Sequence, residues 1–223
     1  MVALDRRTWI FGAVTTISTP WKSSQGSTVS CLSFQDAVDI VCRYSPPSFR
    51  RGAVVASGRC LYRGESVDCP TILHPKPDLL LSTTYNDSDA LKYFECLEDQ
   101  LSSNHTQQVR PSNGHIGIAN QADATLWGSP VSVWPLGDHF NYVWPKDRSL
   151  MYPGGSCPSN QNLVVDDGLQ TALENGKEVM FASWFEDRSD FSTAISSPSL
   201  QSAFMAFPVS YERDLLEHLA RRF

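Results

Sequence analysis

The chain of 223 residues lacks most of the patterns that assign a chemistry at sight. It has no Gly-x-Gly-x-x-Gly, no phosphate loop ending in Gly-Lys-Ser/Thr, no His-Glu-x-x-His and no Gly-x-Ser-x-Gly. Those absences exclude the common dinucleotide-fold, phosphate-loop, zinc-hydrolase and serine-hydrolase signatures. There is no basic run at either end, and the formal net charge is −6. Nucleic acid and membrane surfaces are therefore not the expected partners of this acidic chain. No apolar run approaches the roughly 20 residues that cross a bilayer, which points to a soluble protein. The opening segment MVALDRRTWIFGAVTTISTP sets Arg6 and Arg7 before a short apolar patch, but Thr15, Thr16 and Ser18 interrupt it. A first β-strand is expected there rather than a targeting segment.

Cysteine is also sparse. The six residues at 31, 42, 60, 69, 96 and 157 include no Cys-x-x-Cys pair. That density is far below a disulfide scaffold, so reduced, mostly buried thiols and a reducing, cytoplasm-like setting are the expectation. Cys60, Cys69 and His74 form one close Cys/His group, but their spacing matches no familiar zinc site and no metal is expected. Cys157, with His139 upstream, has the residue types of a thiol nucleophile and its base; a loop cysteine is the plainer reading. The triplets Asn86-Asp87-Ser88 and Asn104-His105-Thr106 match glycosylation acceptors, which carry meaning only on a secretory route.

What is present is the composition of a folded protein, with 41% hydrophobic and 11% aromatic residues. One domain over residues 1–223 is long enough to bury a core without staples. Ser33 followed by Asp36 resembles a capping box, with Phe34, Ala37, Val38, Val41 and Cys42 on one helical face behind it. The prolines of SPPSFRRG are expected to end that helix. DSDALKYFECLEDQLSS keeps Ala90, Phe94, Leu97 and Leu101 at helical spacing and predicts a core-facing helix. GHIGIANQADATLW reads as a strand running into a short helix. VSVWPLGDHFNYVWP carries two Val-Trp-Pro endings around Pro135, Gly137 and Asp138, and predicts a β-hairpin. A helix over DDGLQTALEN should stop at Gly176, a good left-handed cap. The strands KEVMFASWF and SAFMAFPV follow, then a last helix with Leu215, Leu216, Leu219 and Phe223 on one side. The expected class is α+β, with a mixed or mostly antiparallel sheet and three to four flanking helices.

Arg63, in RCLYRGES, is the most informative polar residue. In a strand it shares a face with Leu61, opposite Cys60 and Tyr62, and the following Gly64 lets a ligand approach the backbone. A guanidinium held there forms a rigid fork for phosphate or carboxylate oxygens. The alternative is an ion pair with a carboxylate at the core rim, such as Asp78 or Glu98.

The run from LSFQDAVDIV through RCLYRGES to CPTILHPKPDLLL and ALKYFECLE resembles the FRG-domain family, named for its Phe/Tyr-Arg-Gly signature. The resemblance covers roughly residues 31–101 and implies a helix, a strand ending in the triplet, and a second amphipathic helix. The later histidine-rich and Leu-Leu-Asp segments of that family are missing. The order of Arg63, Ser82 in LLLSTTYN and Glu178 in GKEVMFA is also similar to ADP-ribosyltransferases of the Arg-Ser-Glu type. That resemblance implies NAD as cofactor. Arg63, with Tyr62 and Gly64, would hold the cofactor's phosphate side, Ser82 the nicotinamide ribose, and Glu178 would be the catalytic acid at an oxocarbenium-like centre. Gly176 stands two positions before Glu178 where that type carries Glu or Gln, which favours NAD cleavage over transfer to a side chain. The three residues are expected to converge on one cleft.

Two other readings stay open. Trp127, Trp134, Trp144, Phe140, Tyr142 and Tyr152 concentrate aromatic surface that, beside Asp138, His139, Asn141 and Asp147, could bind a sugar, a nucleotide or a protein partner through an exposed hairpin. A structural or viral accessory protein that works through large apolar interfaces is the third.

Overall fold

The computed structural model describes residues 31–55, 59–73, 88–103, 109, 114–125, 128–137, 139–145, 157, 163–165, 169–184 and 203–222. The first strand expected before residue 30 and the residue Ser82 lie outside them. Among the described residues, six α-helices and eight strands form an α+β arrangement. They are α1 (Phe34–Tyr44), α2 (Pro47–Val55), β1 (Leu61–Glu65), β2 (Thr71–Leu73), α3 (Ser88–Ser103), β3 (His115–Ile118), α4 (Gln121–Ala124), β4 (Ser129–Pro135), β5 (His139–Pro145), β6 (Leu163–Val165), α5 (Leu169–Glu174), β7 (Glu178–Trp184), β8 (Phe204–Pro208) and α6 (Glu212–Ala220). Among the described residues no helix is long and apolar enough to cross a membrane.

Local chemistry explains the helix limits. Ser33 caps α1 as its spacing predicts, accepting from the Asp36 amide at 3.2 Å and donating to the Asp36 carboxylate at 2.6 Å. Behind it Ala37, Val38 and Val41 are fully buried. The two prolines end α1 but do not end helical structure. Pro47 occupies the first position of α2, where the amide hydrogen that proline lacks has no partner in any helix, and the Pro46 carbonyl takes the first bond from the Arg50 amide at 3.1 Å. α5 stops where expected: Gly176 has φ +64, the left-handed conformation that glycine adopts without a Cβ clash.

The described strands join one sheet in the order β2-β8-β4-β1-β3-β7-β5-β6, and each of their pairings is antiparallel. The Val-Trp-Pro hairpin is not formed. β4 pairs with β1 and β8, while β5 pairs with β6 and β7. Three strands stand between two segments that are joined in sequence only by residues 136–138. In a flat sheet that gap is at least about 19 Å at the usual strand spacing, and wider because β4 and β5 run parallel. The four Cα steps from Pro135 to His139 span at most about 15 Å. The sheet therefore rolls to bring the two ends together, as a strongly twisted sheet can. Ring contacts across the hollow agree: Phe204 of β8 lies 6.0 Å from Phe181 of β7 and 4.8 Å from His115 of β3. The linking strap is held by Leu136, whose amide donates to Ala203 O, and by Gly137, whose amide donates to Tyr44 O, each at 2.9 Å.

Rolling gives the sheet an inner and an outer face, and the cross-strand register assigns residues to each. Leu61, Val133, Ala206, Phe181 and Phe204 point inward, all at 1% exposure or less. Outward, one row across the sheet is Ile116, Met180 and Val143, and it is covered by Tyr93, Phe94, Leu97 and Leu101 of α3. The next outward row is Tyr62, Ile118 and Glu178. α1 and α6 meet the outer face further along, through the Phe34–Phe207 ring contact and a bond from Tyr62 to Glu212.

The thiols differ from the reduced state expected of them. Cys31 is bridged to Cys69 and Cys96 to Cys157, leaving Cys42 and Cys60 as free thiols. Even spacing in sequence carries no information about which Cα atoms the fold brings within bridging distance, here 5.5 and 6.1 Å.

Candidate functional site

Arg63 and Glu178 do not converge. Tyr62, Ile118 and Glu178 lie side by side on the outer face, so Arg63, one residue along from Tyr62, projects from the inner one. Its guanidinium is occupied within the fold. Nε meets Glu65 Oε1 at 2.6 Å, and Nη1 donates to the Ile116 carbonyl at 3.0 Å. Arg63 is thus one half of an ion pair with Glu65, while Asp78, one of the expected partners, lies outside the described residues. Gly64 shares the outer face with Tyr62, opposite Pro130 of β4. Glu178 is only 2% exposed.

The bridges remove both cysteine sites weighed from the sequence. Cys69 and Cys157 are disulfide-bonded, so neither is a zinc ligand nor a thiolate nucleophile. No group of three metal-ligating side chains occurs among the described residues. Of the tryptophans of the expected binding platform, Trp127 lies outside the described residues and the other two belong to the core: Trp134 is fully buried and donates to Ser132 Oγ, and Trp144 is 6% exposed with the Lys177 ammonium 4.0 Å from its ring centroid. An aromatic surface on this pair is excluded.

A cleft of about 350 Å³ does open on the outer side, where β1 begins and β3 ends. Arg59, Tyr62, Ala119, Asn120, Gln121, Glu174, Asn175 and Gly176 line it. Local bonds place four of them. Asn120 caps α4, its Oδ1 accepting from the Ala122 amide at 3.0 Å. Gly176 turns the chain out of α5, and the Ala119 amide donates to Lys177 O, clamping the end of β3 to the approach of β7. Arg59 crosses the cleft and donates to the Glu174 carbonyl at the end of α5.

Behind the cleft, Tyr62 donates its hydroxyl to Glu212 Oε1 at 2.7 Å. Burial, assisted by the neighbouring Cys60 and Glu212, pushes the Tyr62 phenol far above its usual range. Burial likewise raises the Cys60 thiol, with Glu212 adding to it. The Glu212 carboxyl is raised by burial and lowered in part by the Tyr62 hydrogen bond. Burial therefore favours the uncharged form of all three groups, packed where β1 meets α6.

Of the described residues given a catalytic or cofactor role from the sequence, only Tyr62 lines this cleft, with Glu178 two strands away in the same row. Arg59, Asn120, Gln121, Asn175 and Glu212 were missed. Asn120 carries a readable signal, a capping residue before a short helix. Arg59 and Glu212 look like ordinary surface charges until the fold is known. No family model, no curated protein and no solved structure matches the chain.

Proposed function

We propose that the protein is a nucleotide-binding domain, of the NAD class, within an FRG-type framework, and that its ligand sits in the cleft between Arg59 and Tyr62. The observation that carries this reading is the lining itself: one guanidinium, three carboxamides and the edge of a fixed phenol, beside Glu174, on a single concavity. A guanidinium suits a phosphate group, carboxamides both donate to and accept from ribose and base edges, and a phenol ring gives a flat apolar wall. About 350 Å³ falls at the small end of ligand sites and suits one half of a dinucleotide, with the remainder outside. Arg59 takes the anion-binding role that the sequence offered to Arg63. Glu178 remains the acid on this face to test for turnover.

Titration calorimetry with NAD, ADP-ribose and nicotinamide tests the reading. NAD and ADP-ribose should bind, and Arg59→Ala should weaken both by roughly tenfold or more, the worth of a charge-assisted phosphate contact. Arg63→Ala should leave affinity unchanged. Absence of binding by NAD and ADP-ribose at millimolar concentration overturns the proposal. Incubation with NAD separates recognition from catalysis: nicotinamide release that Glu178→Gln abolishes assigns a NAD-cleaving enzyme, and binding without release assigns a recognition module.

A further inference from the structure

Glu212 opens α6, and its carboxyl is pressed against the outer face of β1. Tyr62 satisfies Oε1, while Oε2 is buried with no hydrogen-bond partner among the described residues. A dry carboxyl oxygen without a donor is tolerable when the group is protonated and costly when it is ionised. From β1 the groups facing it are Cys60 and Tyr62, both kept uncharged by burial. The charges of the surrounding elements bond elsewhere. On α6, Arg213 pairs with Asp214 and Arg221 with Glu217, and His218 lies against Arg222. From α1, Asp39 meets Arg222, and Arg43 lies over the Tyr44 ring. From α2, Arg50 donates to Ser45 O, while Arg51 is exposed.

We propose that Glu212 is a proton-operated latch on the cleft: protonated, it keeps α6 docked and Tyr62 fixed as the cleft wall, and ionised, it draws the first turn of α6 toward water and loosens that wall. The consequence for ligand affinity rests on the reading of the cleft given above; the latch itself does not. The direction follows from linkage. A carboxyl whose pKa is raised in the folded state stabilises the docked form fully below its unfolded value, and that stabilisation is lost as pH rises through the folded value.

Cys60, 1% exposed beneath the contact, reports the opening. Its alkylation by N-ethylmaleimide in the native full chain is followed by peptide mass spectrometry, which resolves it from Cys42. Each rate is divided by that of Glu212→Gln at the same pH, so that intrinsic thiol reactivity cancels. The ratio should rise about tenfold or more between about pH 4 and about pH 8, as expected for one group titrating across the window. Amide exchange at Leu215 and Leu219 of the unaltered protein should show the same loss of protection, and it serves if the variant does not fold. A flat ratio, or exchange protection that is constant after correction for intrinsic rates, overturns the latch. Calorimetry with NAD over the same range separates the two proposals. Affinity that falls with pH in the native chain and not in Glu212→Gln supports both. A pH-dependent ratio with no NAD binding at any pH upholds the latch and sinks the ligand assignment.

Discussion

Loss of the Cys96–Cys157 bridge should be the most damaging single covalent change, and its size can be worked out. The two cysteines are 61 residues apart. Closing a loop of that length in the unfolded chain removes conformational entropy worth about 4.3 kcal/mol at room temperature in the chain-entropy treatment. The Cys31–Cys69 loop, with a separation of 38, gives about 3.9 kcal/mol by the same relation. The loops do not overlap in sequence, so the two losses should add. The perturbation is the paired substitution Cys96→Ser and Cys157→Ser, which leaves no stray thiol. With an unfolding entropy of about 2.1 cal/mol/K per residue, a loss of this size lowers Tm by roughly 9 °C. The assay is urea unfolding followed by circular dichroism, beside non-reducing peptide mapping of the unaltered protein. If mapping finds both bridges but the serine pair loses less than about 1 kcal/mol, the entropic reasoning is refuted. Cys96 and Cys157 found as free thiols in the native protein would refute the bridge.

Packing and capping give two further tests. A Cβ at Gly117 would stand 3.3 Å from Phe181 Cε1 and 3.4 Å from Leu61 Cβ, both deeply buried side chains of the inner face. The overpacking cost of about 1–3 kcal/mol outweighs the roughly 0.5–1 kcal/mol that alanine gains over glycine in chain entropy, so Gly117→Ala should destabilise by about 1 kcal/mol in urea. A gain in stability would show slack inside the roll. Ser33→Ala should cost about 1 kcal/mol through loss of the α1 cap, and Ser33→Asp, which keeps an acceptor, should restore most of it in thermal melts.

Local signals were legible where the deciding physics is local. The Ser33 cap, the apolar stripe of α3 and the stop at Gly176 depend on residues within one or two turns, and the chain folds there as its spacing predicts. α2 was hidden by a rule applied too broadly, since a proline that breaks a helix interior is at home in its first turn. The β4–β5 hairpin failed for a different reason. Two strands with turn formers between them satisfy every short-range criterion for pairing, yet each buries its edges better against strands distant in sequence. Disulfide partners and the convergence of Arg63 with Glu178 are properties of register. A register offset of one residue places a side chain on the other face, and nothing in the composition of either strand reports it. Glu212 is the extreme case: in a terminal amphipathic helix an acid at the first turn reads as solvated, and only the packing of α6 on β1 makes it a buried proton site.

The strap of residues 136–138 has a consequence for where any ligand can go. Three residues tie together strands that a flat sheet would hold further apart than the chain can reach, so covalent length limits how far β4 and β5 can part. Leu61, Phe181 and Phe204 already fill the lumen, and the hoop denies them room to part. Parting β4 from β5 to admit a guest would have to stretch that tie. Among the described residues, the helices on the rind can shift without stretching the hoop, and the cleft walled by Tyr62 is on that rind.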